Sequence, residues 1–127
     1  MKSLHEQLYV TNEWISRYAQ SIESPLQTTK GKLVAPSTMP IIFWQEFDIP
    51  WLKNGTPLIH GTQQFSYKSP IIEGMTLDCE LILTKVAKKE GKQGMLTFFT
   101  HTLECNYRGN LIVTAETVLI QVGEQDE

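Results

Sequence analysis

The chain has 127 residues, 41% of them hydrophobic and 20% charged, with a net charge of −3. That length suits a single domain, 1–127, with a real core, and the acidic balance disfavours a nucleic-acid partner, which would need a basic face. No apolar run reaches the length of a signal peptide or a membrane span, so a cytoplasmic protein with no membrane partner is expected.

The first residues, Met1 to Gln7, are expected to fray, and His5 carries no signal there. Thr11 reads as a helix N-cap, with Glu13 placed favourably toward the dipole in the first turn. Trp14, Ile15, Tyr18, Ala19 and Ile22 then recur at helical spacing, until Ser24-Pro25 ends the element. From Leu26 to Gly55 the pattern is irregular, broken by Gly31, Pro36, Pro40, Pro50 and Gly55. Within it Ile41, Ile42, Phe43, Trp44 and Phe47 form an apolar knot, either a short helix or a buried extended piece.

After Gly61 the character changes. Thr62–Lys68, Thr76–Lys88, Met95–Tyr107 and Leu111–Val122 read as strands, the last three unusually long. Leu77, Cys79, Leu81 and Leu83 alternate cleanly, and Val113, Ala115 and Leu119 do so less cleanly. Gly91 and Gly94 mark one hairpin turn, and Arg108-Gly109-Asn110 marks another. Long antiparallel strands in sequence, without intervening helices, make a meander that curves as it twists. Its apolar face must be covered by the Thr11–Glu23 helix, the Ile41–Phe47 knot or a second subunit. The class is α+β.

The stretch from Leu58 through His60-Gly61 to Pro70 offers a binding wall. Phe65 and Tyr67 face one way, Gln64, Ser66 and Lys68 the other, and Gly61 has no side chain to keep a backbone N–H from a ligand. His60 reads either as a group that orients a ligand or serves as a base, or as a hydrogen-bonded histidine at the start of the strand. His101, between Phe99 and Leu103 in strand period, reads as structural. Cys79 and Cys105 read as reduced core thiols, although hairpin register alone does not exclude a bridge. Lys85, Lys88, Lys89 and Lys92 surround one turn, either as solvated side chains or as a contact for coenzyme A phosphates or an acidic carrier protein. Trp44 and Phe47 pack against sheet or subunit, or line a tunnel for a fatty chain. No metal-ligand spacing is present, so no metal is expected.

Ala35-Pro36-Ser37-Thr38, the Leu58–Tyr67 segment with His60-Gly61 and Gln63, and Pro70 followed by Gly74 and Leu77 carry a resemblance. From about Val10 to Gly123 the chain resembles the N-terminal half-domain of MaoC-like dehydratases, of the hotdog fold. The resemblance implies a long curved antiparallel sheet wrapped on a helix. Met75 departs from it, standing where the family places an acidic residue after the glycine. It also implies a substrate carried as a coenzyme A or acyl-carrier-protein thioester, with no further cofactor. Full members of the family hydrate enoyl thioesters with an Asp and a His in a segment running Asp-x-Asn-Pro-x-His. The histidine titrates near neutrality, and backbone N–H groups hold the thioester oxygen as charge develops on it.

The matching segment here is Glu23-Ser24-Pro25-Leu26-Gln27. Glu23 stands near the Asp position, and Gln27 falls where the His belongs. An amide hydrogen-bonds but does not shuttle protons at neutral pH. The resemblance is therefore to the half that accommodates the acyl chain, with Gln27, His60, Gly61, Gln63, Trp44 and Phe47 as its substrate-binding residues. Glu23 and His60 are the weak catalytic candidates. The expected function is an acyl-thioester-binding subunit of an (R)-specific hydratase or dehydratase. It would act as a homodimer or with a catalytic MaoC-like hotdog subunit. The rivals are an acyl-CoA thioesterase, for which Glu23 or Asp48 would supply the acid, and a non-enzymatic acyl-thioester binding protein.

Overall fold

The computed structural model describes residues 2–52, 58–92 and 94–123; Gly55, expected to break the irregular region, lies outside them. The N-terminus does not fray. Lys2–Tyr9 forms β1, an edge strand antiparallel to β5, Thr76–Gly91, in a register running from Lys2 opposite Leu83 to Tyr9 opposite Thr76. Leu4 and Leu8 turn inward opposite Leu81 and Leu77. Glu6 interrupts their alternation, which is why the strand pattern is faint in the sequence. His5 Nε2 lies 3.3 Å from the Glu80 carboxylate on the outer face.

Helix α1, Asn12–Ser21, starts as expected: the Thr11 side chain accepts a hydrogen bond from the Trp14 N–H at 3.0 Å. It buries Ile15, Tyr18 and Ala19. It ends two residues short of Glu23 in a closing motif. The Ser24 N–H reaches back to the Ala19 carbonyl and the Glu23 N–H to that of Gln20, while Glu23 takes a left-handed φ of 55°.

The irregular region holds more order than its pattern shows. Gln27–Thr29 (β2) and Lys32–Val34 (β3) form a small hairpin around Lys30-Gly31, with φ values of 51° and 80°. These two-residue turn angles suit a glycine at the second position. The apolar knot is a 3-10 helix, Met39–Glu46, with Pro40 in its first turn and Met39, Pro40 and Phe43 buried.

Strand β4, Leu58–Tyr67, begins earlier than expected, and β6, Gly94–Tyr107, and β7, Asn110–Val122, complete a five-stranded antiparallel sheet in the order β1-β5-β6-β7-β4. Both hairpins sit at the expected turns, Arg108-Gly109 with φ values of 50° and 81°. The class is α+β, as read. Leu77, Cys79 and Leu81 of β5, Leu103 and Cys105 of β6, and Val113 and Ala115 of β7 pack with Ile15, Tyr18, Met39 and Phe43 into one apolar core. Cys79 and Cys105 face each other directly across β5 and β6 as free thiols, sulfur to sulfur 3.4 Å.

Candidate functional site

A cavity of about 690 Å³ opens between the end of α1, the β2–β3 hairpin and the segment that leaves β4. Its walls include Ile22, Ser24, Pro25 and Gln27 on one side and Tyr67, Lys68 and Ser69 on the other. The Ala35-Pro36-Ser37-Thr38 segment forms the floor, with Ala35 fixed by its N–H to the Ile71 carbonyl at 2.8 Å. Two phenols brace that floor. Tyr18 Oη lies 2.7 Å from Thr38 Oγ1, and the Tyr67 hydroxyl donates to the Ser37 carbonyl at 2.7 Å. Burial pushes the Tyr67 phenol well above its usual range, with Cys105 and Tyr18 adding to the shift. It stays a neutral donor. Leu26, between Pro25 and Gln27 of the wall, is exposed.

The expected site residues fall into separate groups. Gln27 lines the cavity with its neighbours Ser24 and Pro25. Glu23 does not; it is the exposed left-handed residue that closes α1. Asp48 is exposed as well. Phe47 is a member of the apolar core, and Trp44 is half-buried against it.

His60, Gly61 and Gln63 lie together on β4, away from the cavity. The strand bulges between His60 and Thr62, so that β7 comes close to Gly61. A Cβ there would meet Ile120 Cδ1 and the Val118 carbonyl oxygen, both at 3.2 Å. The missing side chain is thus needed for strand packing. His60 Nε2 sits 3.1 Å from Gln63 Oε1, and that same oxygen accepts a bond from the Thr117 hydroxyl at 2.7 Å.

Ser37, Tyr67 and Lys68, which were not among the expected substrate-binding residues, are cavity walls, and Trp51 is the partner of His101. The first group had a signal, since Tyr67 and the Ala35–Thr38 segment already belonged to the quoted motif. The second had none: Trp51 and His101 lie 50 residues apart. At Met75, the family departure, the sulfur accepts the Ile72 N–H at 3.4 Å and so keeps the turn closed. Among the described residues no cluster of three or more His, Cys, Asp or Glu side chains could hold a metal ion, and no helix is long and apolar enough to cross a membrane.

The sheet order, the covering helices and the cavity at the end of α1 define a hotdog domain. The chain belongs to the FAS1-like dehydratase domain region family, whose model matches residues 2–115. The HadBC (3R-hydroxyacyl-ACP dehydratase) complex from Mycobacterium tuberculosis is similar in structure, with a TM-score of 0.68 at 18% identity, covering 94% of this chain and 96% of that one. The ChsH1-ChsH2 complex from the same organism gives a TM-score of 0.66 at 11% identity, over 99% and 85% of the two chains. An (R)-hydratase from A. caviae involved in PHA biosynthesis gives 0.61 at 18% identity, over 93% and 92%. No curated protein has significant sequence similarity to the chain.

Proposed function

We propose that this chain is the acyl-thioester-binding subunit of an enoyl-thioester hydratase, and that a partner hotdog chain supplies the Asp and His. One observation carries the reading: none of the described residues lining the cavity is His, Asp, Glu or Cys. By the resemblance Gln27 falls where the family's histidine belongs, and it lines the cavity, while Glu23 closes α1. The reaction adds a hydroxyl to C3 of a 2-enoyl thioester and a proton to C2, and the reverse expels water. Both directions need a group that gives and takes a proton near neutral pH. An amide and a raised phenol do neither; the Gln27 amide positions a thioester by hydrogen bonding, while the Tyr67 hydroxyl is committed to the Ser37 carbonyl.

A partner is supported by the shape of the sheet. Strand β4 forms one edge, with Leu58 and Ile59 exposed on it. Apolar edge strands are stable in solution when another chain covers them. The similarity to the HadBC and ChsH1-ChsH2 complexes points the same way.

The test is to follow the loss of enoyl-CoA absorbance with the purified chain, then with the chain co-expressed with a hotdog subunit carrying Asp-x-Asn-Pro-x-His. Turnover is expected only in the second case, together with co-purification. Hydration by the chain alone, abolished by His60→Ala, would overturn the proposal. So would release of free thiol from acyl-CoA, which is the thioesterase outcome.

A further inference from the structure

Strand register places one residue from each of the five strands abreast on the inner face: Lys2, Leu83, His101, Thr117 and Gln63, in order across the sheet. The next inward-facing row toward the core is Leu4, Leu81, Leu103, Ala115 and Phe65, wholly apolar. Polarity therefore reverses within one step of the strand period. His101 is 1% exposed and Thr117 5% exposed.

Two hydrogen bonds fix what this row presents. The Trp51 indole N–H donates to His101 Nε2 at 3.0 Å, and the two rings stack with centroids 5.9 Å apart. Because Nε2 accepts, the ring proton sits on Nδ1, and that buried N–H has no hydrogen-bond partner among the described residues. On the other side Thr117 donates to Gln63 Oε1, which turns the amide NH2 the other way. Gln63 Nε2 is likewise buried without a partner among the described residues. The row thus ends in two donor groups with no acceptor, flanking Thr117 and two strands apart, about 10 Å between backbones. A row kept only for packing would be apolar, since buried donors without partners oppose folding.

We propose that His101 or Gln63 binds an acceptor oxygen on the acyl group itself, a hydroxyl or carbonyl remote from the thioester. This rests on the acyl-thioester reading above and narrows its substrate class to oxygen-bearing acyl chains. Gln63 stands four residues along β4 from Tyr67 of the cavity wall, a span of about 13 Å. An acyl chain held at the cavity and running along β4 reaches the row with its body, not its thioester end. Trp51, half-buried and stacked on the His101 ring, keeps the proton on Nδ1 by its bond to Nε2.

The experiment is calorimetric titration of the full chain with decanoyl-CoA and with a series of hydroxydecanoyl-CoA isomers whose hydroxyl is moved along the chain. One isomer is expected to bind about tenfold more tightly than decanoyl-CoA, the worth of one well-placed hydrogen bond. One of the two variants, His101→Phe or Gln63→Leu, should erase that preference, because a single hydroxyl meets one of the two donors. Should His101→Phe fail to fold and Gln63→Leu keep the preference, the wild-type His101 Nδ1 proton gives an independent reading, because its NMR resonance should shift with the preferred isomer and not with decanoyl-CoA. Equal affinity for decanoyl-CoA and every isomer overturns this inference and leaves the acyl-binding reading standing. A preference that survives in both variants overturns it as well. Failure of decanoyl-CoA and all isomers to bind sinks the acyl-binding reading itself.

Discussion

Glu23 and His101 show how a titratable side chain acquires a structural task. Glu23 occupies the left-handed position that ends α1, where glycine is the preferred residue. Glu23→Gly is therefore expected to stabilise the protein by about 0.5 kcal/mol, less than the full relief because glycine also loosens the unfolded chain. The hydration rate of the assembled enzyme should not change. A fall of a hundredfold or more would instead identify Glu23 as an acid or base in the reaction.

His101 makes a pH prediction. Burial lowers its pKa from 6.5 to about 4, so between those values the unfolded chain holds a proton that the folded chain does not. Its contribution to stability is complete above about pH 6.5 and declines as the pH falls toward 4, by a total on the order of 3 kcal/mol. Urea midpoints measured from pH 7 to pH 4 should fall, and His101→Phe should flatten that part of the curve. An equally steep decline in the variant would assign the effect to the carboxylates.

Among the elements, the long strands and α1 were readable because each satisfies one periodic rule over many residues: the alternation of Leu77, Cys79, Leu81 and Leu83, and the helical spacing of Ile15, Tyr18 and Ala19. Strand β1 was not readable, because two inward leucines separated by Glu6 are too few to stand out. The β2–β3 hairpin escaped for a related reason. Its strands have three residues each and those of β2 are all exposed, so only Lys30-Gly31 hinted at it. Of the site, the cavity floor was legible in Ala35-Pro36-Ser37-Thr38, whereas the His101 row depends on register between distant strands.

Register also settles the cysteines. Cys79 and Cys105 meet inside the core, and the hydrogen bond they share, followed by burial, pushes the Cys105 thiol far above its usual range. Neither thiol should react with iodoacetamide in the folded protein, and both should become reactive together in urea. Labelling of one alone under native conditions would show that the β5–β6 hairpin opens locally.

At the scale of the whole molecule, the two edges of the sheet are unequal. Edge β1 carries charged and polar side chains over most of its length, including Lys2, His5 and Glu6, which discourages further pairing. Edge β4 presents Leu58 and Ile59. If the proposed catalytic partner pairs there, a charge at Ile59 breaks the assembly at little cost to the fold, since Ile59 is already 49% exposed. Ile59→Lys is expected to leave the melting temperature of the isolated chain within a few degrees of wild type. It should also abolish co-purification with the Asp/His subunit and, with it, hydration. Light scattering of the mixture separates the alternatives. Two separate species would confirm the edge as the interface, whereas an intact complex with normal turnover would move the interface elsewhere and leave the exposure of Leu58 and Ile59 without a role.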